Sequence, residues 1–382
     1  MEKRLNSTIA ILGLTILFVS VPILSINTQI EASNSDSITS ISTVQDTIDM
    51  LIFISPQYSA DIEIKSSIDH YINVVKDDIN WNTKIITIKP NQNNFKKIDQ
   101  IIEQHHIQHK LKACIMVGED IDTALAGDTN YMEKPSTIPW STINGETSYE
   151  TSKQGIVSKT YPVDICISLL YPSHPQAYNE KKSQIMCAFN KFCINRQNYS
   201  LKDILTFEST DINKNSKQIY QKLDNYKNFD YFENPSKEQL KMSLNKTYSI
   251  YLIHGHSNPS GTFINSNEKL WFSANTVDQL NTPFFGADGC YVNGWWSDQK
   301  DNNKLDSSIE YTWYGSKIFT SKHVKIMALG LLSQNGYSKP VSFIENTIPG
   351  LFEGKTIAES VIGNIYSGNT IIIGDPTFHY II

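Results

Sequence analysis

The sequence predicts an α/β fold: mainly parallel sheets covered by helices, in two adjacent subdomains. Three observations carry this. Short apolar runs recur along the chain, each bounded by turn-forming residues. Most are separated by an amphipathic stretch of helical length. A polar, Asn- and Lys-rich segment at 194–240 then divides an earlier alternating set from a later one. Strands that alternate with helices form parallel sheets covered on both faces. In such sheets chemistry gathers at the carboxyl ends of the strands.

In chain order, "DMLIFISP" reads as a buried strand and "ADIEIKSSIDHYINVVKDD" as a helix. "TKIITIKP" is a second strand, "NFKKIDQIIEQHHIQ" a second helix and "KLKACIMVGED" a third strand. Residues 122–160 are loop-rich, after which "VDICISLLYP" resumes as a strand and "HPQAYNEKKSQIMCAFNKFC" as a helix. This set, with the crossover, makes a first subdomain at 48–240. A second subdomain at 241–382 holds the strands "TYSIYLIHG", "TPFFGADGC" and "HVKIMALGL", a helix near 341–365 and the strand "NTIIIGDP". No internal repeat is present.

The 382 residues are 40% hydrophobic and 19% charged, with a net charge of −6. That is ordinary globular composition and argues against nucleic-acid binding. The N-terminal "MEKRLNSTIAILGLTILFVSVPILS" places Lys3 and Arg4 before a long apolar run. It reads as an export signal over residues 1–32, cut after Ala32, with 33–47 as a polar linker. The run is nearly long enough to stay as a membrane anchor; either way the remainder lies outside the cytoplasm. Five cysteines follow, at 114, 166, 187, 193 and 290. An odd number leaves at least one thiol unpaired within the chain. The first four sit in apolar contexts and read as small buried hydrophobes.

Cys290 differs, since it follows the turn-forming run Gly286-Ala287-Asp288-Gly289. Another strand end carries His254 and His256, in "YSIYLIHGHSNPSG". Neighbouring parallel strands would bring a histidine and a cysteine to one sheet edge. An imidazole that takes a thiol's proton makes it a strong nucleophile. The competing reading is a structural cysteine with two surface histidines.

These residues resemble those of the gingipain-like cysteine peptidases, within the caspase-like group. The shared pattern is a hydrophobic strand ending in a His-Gly element, then another ending in the catalytic cysteine. "CYVNGW" resembles the family's Cys-x-x-Gly context, and "DMLIFISPQY", "KACIMVGED", "YPVDICISLLYPSHPQAYNEKKSQIM", "LFEGKTIAESVIG" and "IIIGDPTF" stand in family order. The resemblance spans roughly 48–382 and implies a caspase-like fold. It departs at 167–170, where "ISLL" replaces a frequent Gly-Arg. The family's long propeptide and trailing immunoglobulin-like domain have no room here, so activation by removal of a large pro-segment is not expected.

The resemblance implies a secreted endopeptidase acting on proteins or peptides through a Cys-His dyad and a thioester. Cys290 is the nucleophile. His256 fits the family's Gly-His-Gly context, with Ser257 in place of the second glycine; His254 fits the bare His-Gly rule, and the choice stays open. Asp288 orients the turn or touches substrate, with the local turn role favoured. Trp295 and Trp296 wall a pocket or cover the sheet edge. Glu146 and Tyr149 match a family spacing that recognises a basic residue before the cleaved bond, although a solvated loop glutamate is the simpler reading. A silent binding protein on the same fold and a transpeptidase are the alternatives.

No metal site is expected: His105 and His109 share a helical face, but nothing nearby completes a ligand set. No cofactor is required. Family members carry calcium sites, which leaves calcium binding open. Gly374-Asp375-Pro376 lacks the lysine and helix of a phosphate loop and reads as a structural turn. The expected partners exclude nucleic acid, and any membrane contact is through the N-terminal segment.

Overall fold

The computed structural model describes residues 47–126, 134–143, 149–152, 155–158, 160–172, 177–210, 228–258, 260–290, 313–332, 341–367 and 369–382. The expected signal at 1–32 and nearly all of the linker lie outside them. Residues 46–382 form one compact unit. Among the described residues no helix is long and apolar enough to cross a membrane.

The first part of the chain supplies β1 (Met50–Ile54), α1 (Ile62–Ile79), β2 (Thr83–Thr87), α2 (Phe95–His109) and β3 (Ala113–Val117). Short strands β4 (Ala124–Ala126), β5 (Lys134–Ser136), β6 (Tyr149–Ser152) and β7 (Gly155–Ser158) form a small sheet of their own, with α3 (Ile138–Ser141) among them. They fall in the stretch that reads as loop. β8 (Thr160–Pro162), β9 (Cys166–Leu170) and α4 (Tyr178–Cys193) follow. Next come β10 (Asp203–Glu208), β11 (Asn228–Glu233), α5 (Lys237–Leu244) and β12 (Ile250–His254). The chain then forms β13 (His256–Asn258), β14 (Gly261–Asn265), β15 (Leu270–Ser273) and β16 (Phe284–Cys290). It ends with α6 (Lys317–Thr320), β17 (Ile326–Leu332), α7 (Val341–Phe352), α8 (Ile357–Val361), β18 (Ile365–Ser367) and β19 (Asn369–Gly374).

Ten strands make one sheet in the order β11-β10-β12-β16-β17-β19-β9-β3-β1-β2. Every neighbouring pair is parallel except β17 and β19. The sheet is thus two parallel halves joined antiparallel, and the strand carboxyl ends of the two halves face opposite edges. β1, β3, β9 and β12 are buried at every residue, so they read as unbroken apolar runs rather than alternating ones.

The expected boundary at residue 240 does not divide this sheet. β10 and β11 belong with β12 and β16, whereas β19, from the C-terminus, pairs with β9. β10 escaped notice because "DILTFE" is short and set among polar residues; in the fold its last five residues are buried. The helix expected near 341–365 is two helices. Thr356 breaks it by starting α8 with a capping box to Glu359.

The helices cover the sheet through matched apolar stripes. α1 buries Ile64, Ile68, Tyr71 and Val75. Asp61 caps it by accepting from the Glu63 and Ile64 N–H groups, and Asn80 ends it in the left-handed conformation. Tyr71 packs on Phe189 and Phe192 of α4 at ring distances of 5.3 and 6.1 Å.

Beneath this contact Arg196 fixes the C-terminal turn. Its Nε donates to Asp78 Oδ2 at 2.7 Å, Nη1 to Asp375 Oδ2 at 2.5 Å and Nη2 to the Thr377 carbonyl at 2.9 Å. Tyr71 donates to Asp375 Oδ1 at 2.6 Å. Gly374 has φ +115°, and a Cβ there would lie 2.2 Å from the Lys325 carbonyl oxygen. Gly374-Asp375-Pro376 is therefore a buried structural turn.

Candidate active site

β12 and β16 are adjacent and parallel, in a register running from Ile250↔Phe284 to His254↔Asp288. The two strand ends thus meet at one sheet edge. β16 runs two residues further, and Cys290, its last residue, pairs with Leu332 of β17. β12 instead stops at His254. The chain bends at Gly255, whose N–H donates to the Asp288 carbonyl at 3.1 Å, and enters the β13–β14 hairpin.

Two glycines let this hairpin sit against the end of β16. A Cβ on Gly289 would lie 1.9 Å from Ser257 Oγ and 2.3 Å from the Gly255 carbonyl oxygen. A Cβ on Gly255 would lie 2.0 Å from the Phe263 carbonyl oxygen. No side chain fits at either position, so glycine is required by close approach. The residues on both sides of His256, Gly255 through its carbonyl and Ser257 through its side chain, are therefore seated against the residue preceding Cys290.

The two histidines have different surroundings. His256 opens β13 and is exposed. His254 is 2% exposed and lies between two carboxylates: Nε2 is 3.4 Å from Asp288 Oδ2 and Nδ1 is 3.6 Å from Glu208 Oε1. Glu208 ends β10 and accepts a hydrogen bond from the Tyr231 hydroxyl of β11. Burial raises the Tyr231 hydroxyl well above its ordinary range, reinforced by that bond.

Asp288 corrects an expectation. It lies within β16 rather than in a turn, is 6% exposed, and faces His254. Burial pushes its carboxyl up to about 6, opposed by His254 and reinforced by Glu208.

Glu146 and Trp295 lie outside the described residues, as does Trp296. The other thiols divide. Cys114 and Cys166 are buried, and desolvation pushes both thiols well up, which suits inert packing. Cys193 is half-buried and pushed up to about 11 by burial first. Cys187 is exposed, contrary to its apolar sequence context, because it lies on the outer side of α4.

His105 and His109 stack on α2 at a ring distance of 5.7 Å. Among the described residues no group of three or more His, Cys, Asp or Glu comes together to hold a metal ion. No residue is therefore assigned to calcium.

No family model matches the chain, and no curated protein does. A solved structure of a protease is similar, with a TM-score of 0.52 at 11% identity, over 86% of this chain and 78% of its own. At that identity the likeness shows the fold alone, a mixed α/β architecture. A periplasmic solute-binding protein from Actinobacillus succinogenes 130z with bound D-allose covers 85% of this chain and 97% of its own at 9% identity, but its TM-score of 0.18 carries no argument.

Three residues of this edge escaped the sequence reading: Glu208, Phe263 and Trp271. Glu208 had a signal, a carboxylate closing the apolar run "DILTF". The other two look like ordinary strand residues until the hairpin register aligns them with His256.

Proposed function

We propose that the chain is an exported cysteine endopeptidase with a caspase-like fold, of the gingipain-like type. The observation that carries this reading is the seating of the His256 hairpin on Gly289, immediately before Cys290. A parallel half-sheet with this His-then-Cys order at its carboxyl edge suits acyl transfer. The likeness in fold to a protease agrees with it.

In this mechanism the Cys290 thiolate attacks the scissile carbonyl carbon. The C–N bond breaks as His256 gives its proton to the departing amine, leaving a thioester. Water then attacks the thioester, His256 takes a proton from it, and the acid and the thiol are released. Backbone N–H groups around Cys290 hold the oxyanion; that of Gly255 is already committed to Asp288. His256 is favoured over His254 because it is exposed, whereas His254 is buried among carboxylates. His254 acts as a positioning residue. The basic-residue preference attached to Glu146 belongs to the same reading, on the acyl side of the cleaved bond.

A thiol-directed peptide electrophile tests the reading. Labelling of the secreted wild type, lost in Cys290→Ala, supports it. Labelling that persists in a folded Cys290→Ala protein, or absent from the wild type, refutes it. A cytosolic pool that keeps Met1 refutes export.

A further inference from the structure

The small sheet β13-β14-β15 has two faces of different character. Directly opposite residues of antiparallel strands share a face. Ser257, Thr262 and Phe272 form one cross-strand row. This row faces the main sheet: Ser257 Oγ meets Thr262 Oγ1 at 2.8 Å, Tyr314 donates to Thr262 Oγ1 at 3.1 Å, and Phe272 stacks on Phe285 at 5.9 Å. Thr262 and Phe272 are fully buried.

The opposite face carries the row His256, Phe263, Trp271, again one residue from each strand. Phe263 is 36% exposed, and its ring lies 4.4 Å from that of Trp271, edge to face. The Trp271 indole lies over Gly261, where a Cβ would come within 2.3 Å of it. The glycine lets the indole settle across β14 and brace Phe263. The result is a preformed aromatic shelf that begins at the proposed acid–base histidine.

We infer that this Phe263–Trp271 shelf binds a bulky apolar side chain on the residue just after the cleaved bond. The inference rests on the peptidase reading above. β13 meets the carboxyl end of β16, where Ser257 and Gly255 close on Gly289, while β14 lies over β12 and β10. His256 therefore stands between Cys290 and the shelf. A histidine that protonates the departing amine has the leaving group on the side away from the nucleophile. The first side chain of that leaving group thus reaches the face where Phe263 is exposed. An aromatic surface of this kind gains from apolar burial and ring contacts, and gains nothing from a serine or aspartate. It also sets a preference independent of any acyl-side pocket.

The test uses the secreted wild-type chain and quenched peptides of fixed acyl side, with Phe, Leu, Ser or Asp after the scissile bond. The expected kcat/KM ratio of Phe to Ser is about tenfold or more, the discrimination a hydrophobic pocket supports. In Phe263→Ala this ratio falls towards one, and in Phe263→Leu it is partly kept. Partitioning of the thioester between phenylalanine amide and serine amide reads the same site and follows the same order. A wild type that cleaves without preference, or a folded Phe263→Ala that keeps the full ratio, overturns the shelf and leaves the peptidase reading intact. A wild type that neither cleaves nor reacts with the peptide electrophile overturns both.

Discussion

His254 and Asp288 face each other across the β12–β16 pair, Nε2 to Oδ2 at 3.4 Å, both almost completely buried. Glu208 lies on the other side of the imidazole. Three titratable groups from adjacent strands are thus held together under the proposed dyad. Buried charge is costly unless it is paired. The cluster is accordingly a point of pH-dependent stability.

Asp288 sets the sign. Its native carboxyl is raised to about 6 from 3.8, so between those values the native state holds a proton the unfolded chain has lost. Stability contributed by this group is complete at low pH and is lost as pH rises towards 6. At one pKa unit per 1.36 kcal/mol the loss is about 3 kcal/mol at most. Urea unfolding of wild type and Asp288→Asn from pH 4 to pH 7 checks it. The wild type should lose ground to the variant as pH rises; a constant difference rules the linkage out.

The histidines should respond differently. His256→Ala is expected to lower kcat/KM by about a hundredfold or more, as loss of a general acid–base does, with little change in stability. His254→Ala leaves Asp288 and Glu208 buried without the base between them, and should destabilise the fold by about 3–5 kcal/mol. Peptide cleavage and urea unfolding on both variants separate the roles. If folded His254→Ala is inactive while His256→Ala turns over normally, the assignment is reversed.

The Arg196 strut predicts a stability effect remote from the site. The guanidinium bonds Asp78 and Asp375 with almost no exposure, its side chain 4% accessible. Burial works against the Asp78 carboxylate, but bonds from His379 and Arg196 hold it down at about 2. That stability is present above the unfolded carboxylate range and is lost as pH falls towards 2. Arg196→Met leaves both carboxylates without their buried cation and should cost about 3–5 kcal/mol. Denaturation at pH 7 reads the loss. A cost below about 1 kcal/mol, the range of an exposed pair, would show that the strut is not buried in solution.

The parts legible in the sequence were those written as unbroken apolar runs. β1, β3, β9 and β12 lie at the predicted places because strands buried at every residue are almost wholly apolar, with little to blur the pattern. The parallel neighbours β12 and β16, ending at His254 and Cys290, could be anticipated because successive strands of such a sheet often pair. Sheet order could not. β10 is brief and flanked by polar residues, and β19 crosses the whole chain to join β9 antiparallel to β17. Local periodicity carries no information on either pairing. The histidines were inseparable because an extended strand points both the same way; the bend at Gly255 decides their surroundings. Asp288 read as a turn residue because its glycine neighbours imitate turn chemistry, whereas they serve close backbone approach.

That approach gives a last prediction, at Gly289. A methyl group there would meet Ser257 Oγ at 1.9 Å and the Gly255 carbonyl at 2.3 Å. The hydroxyl can turn aside, but the carbonyl belongs to the bend that launches the hairpin. Gly289→Ala must therefore lift the hairpin away from β16, and His256 goes with it. The main sheet does not depend on this contact, since β16 keeps its pairing with β17 up to Cys290. The destabilisation should stay near the about 1–3 kcal/mol typical of overpacking. Cleavage should fall by at least about a hundredfold, because a displacement of one ångström already costs that much in a reacting geometry. Ser257→Gly in the same chain should restore little, since the carbonyl clash remains. Peptide turnover and urea unfolding of the single and double variants measure both effects. A Gly289→Ala protein as active as the wild type would show that the hairpin does not need its seat on β16 to act.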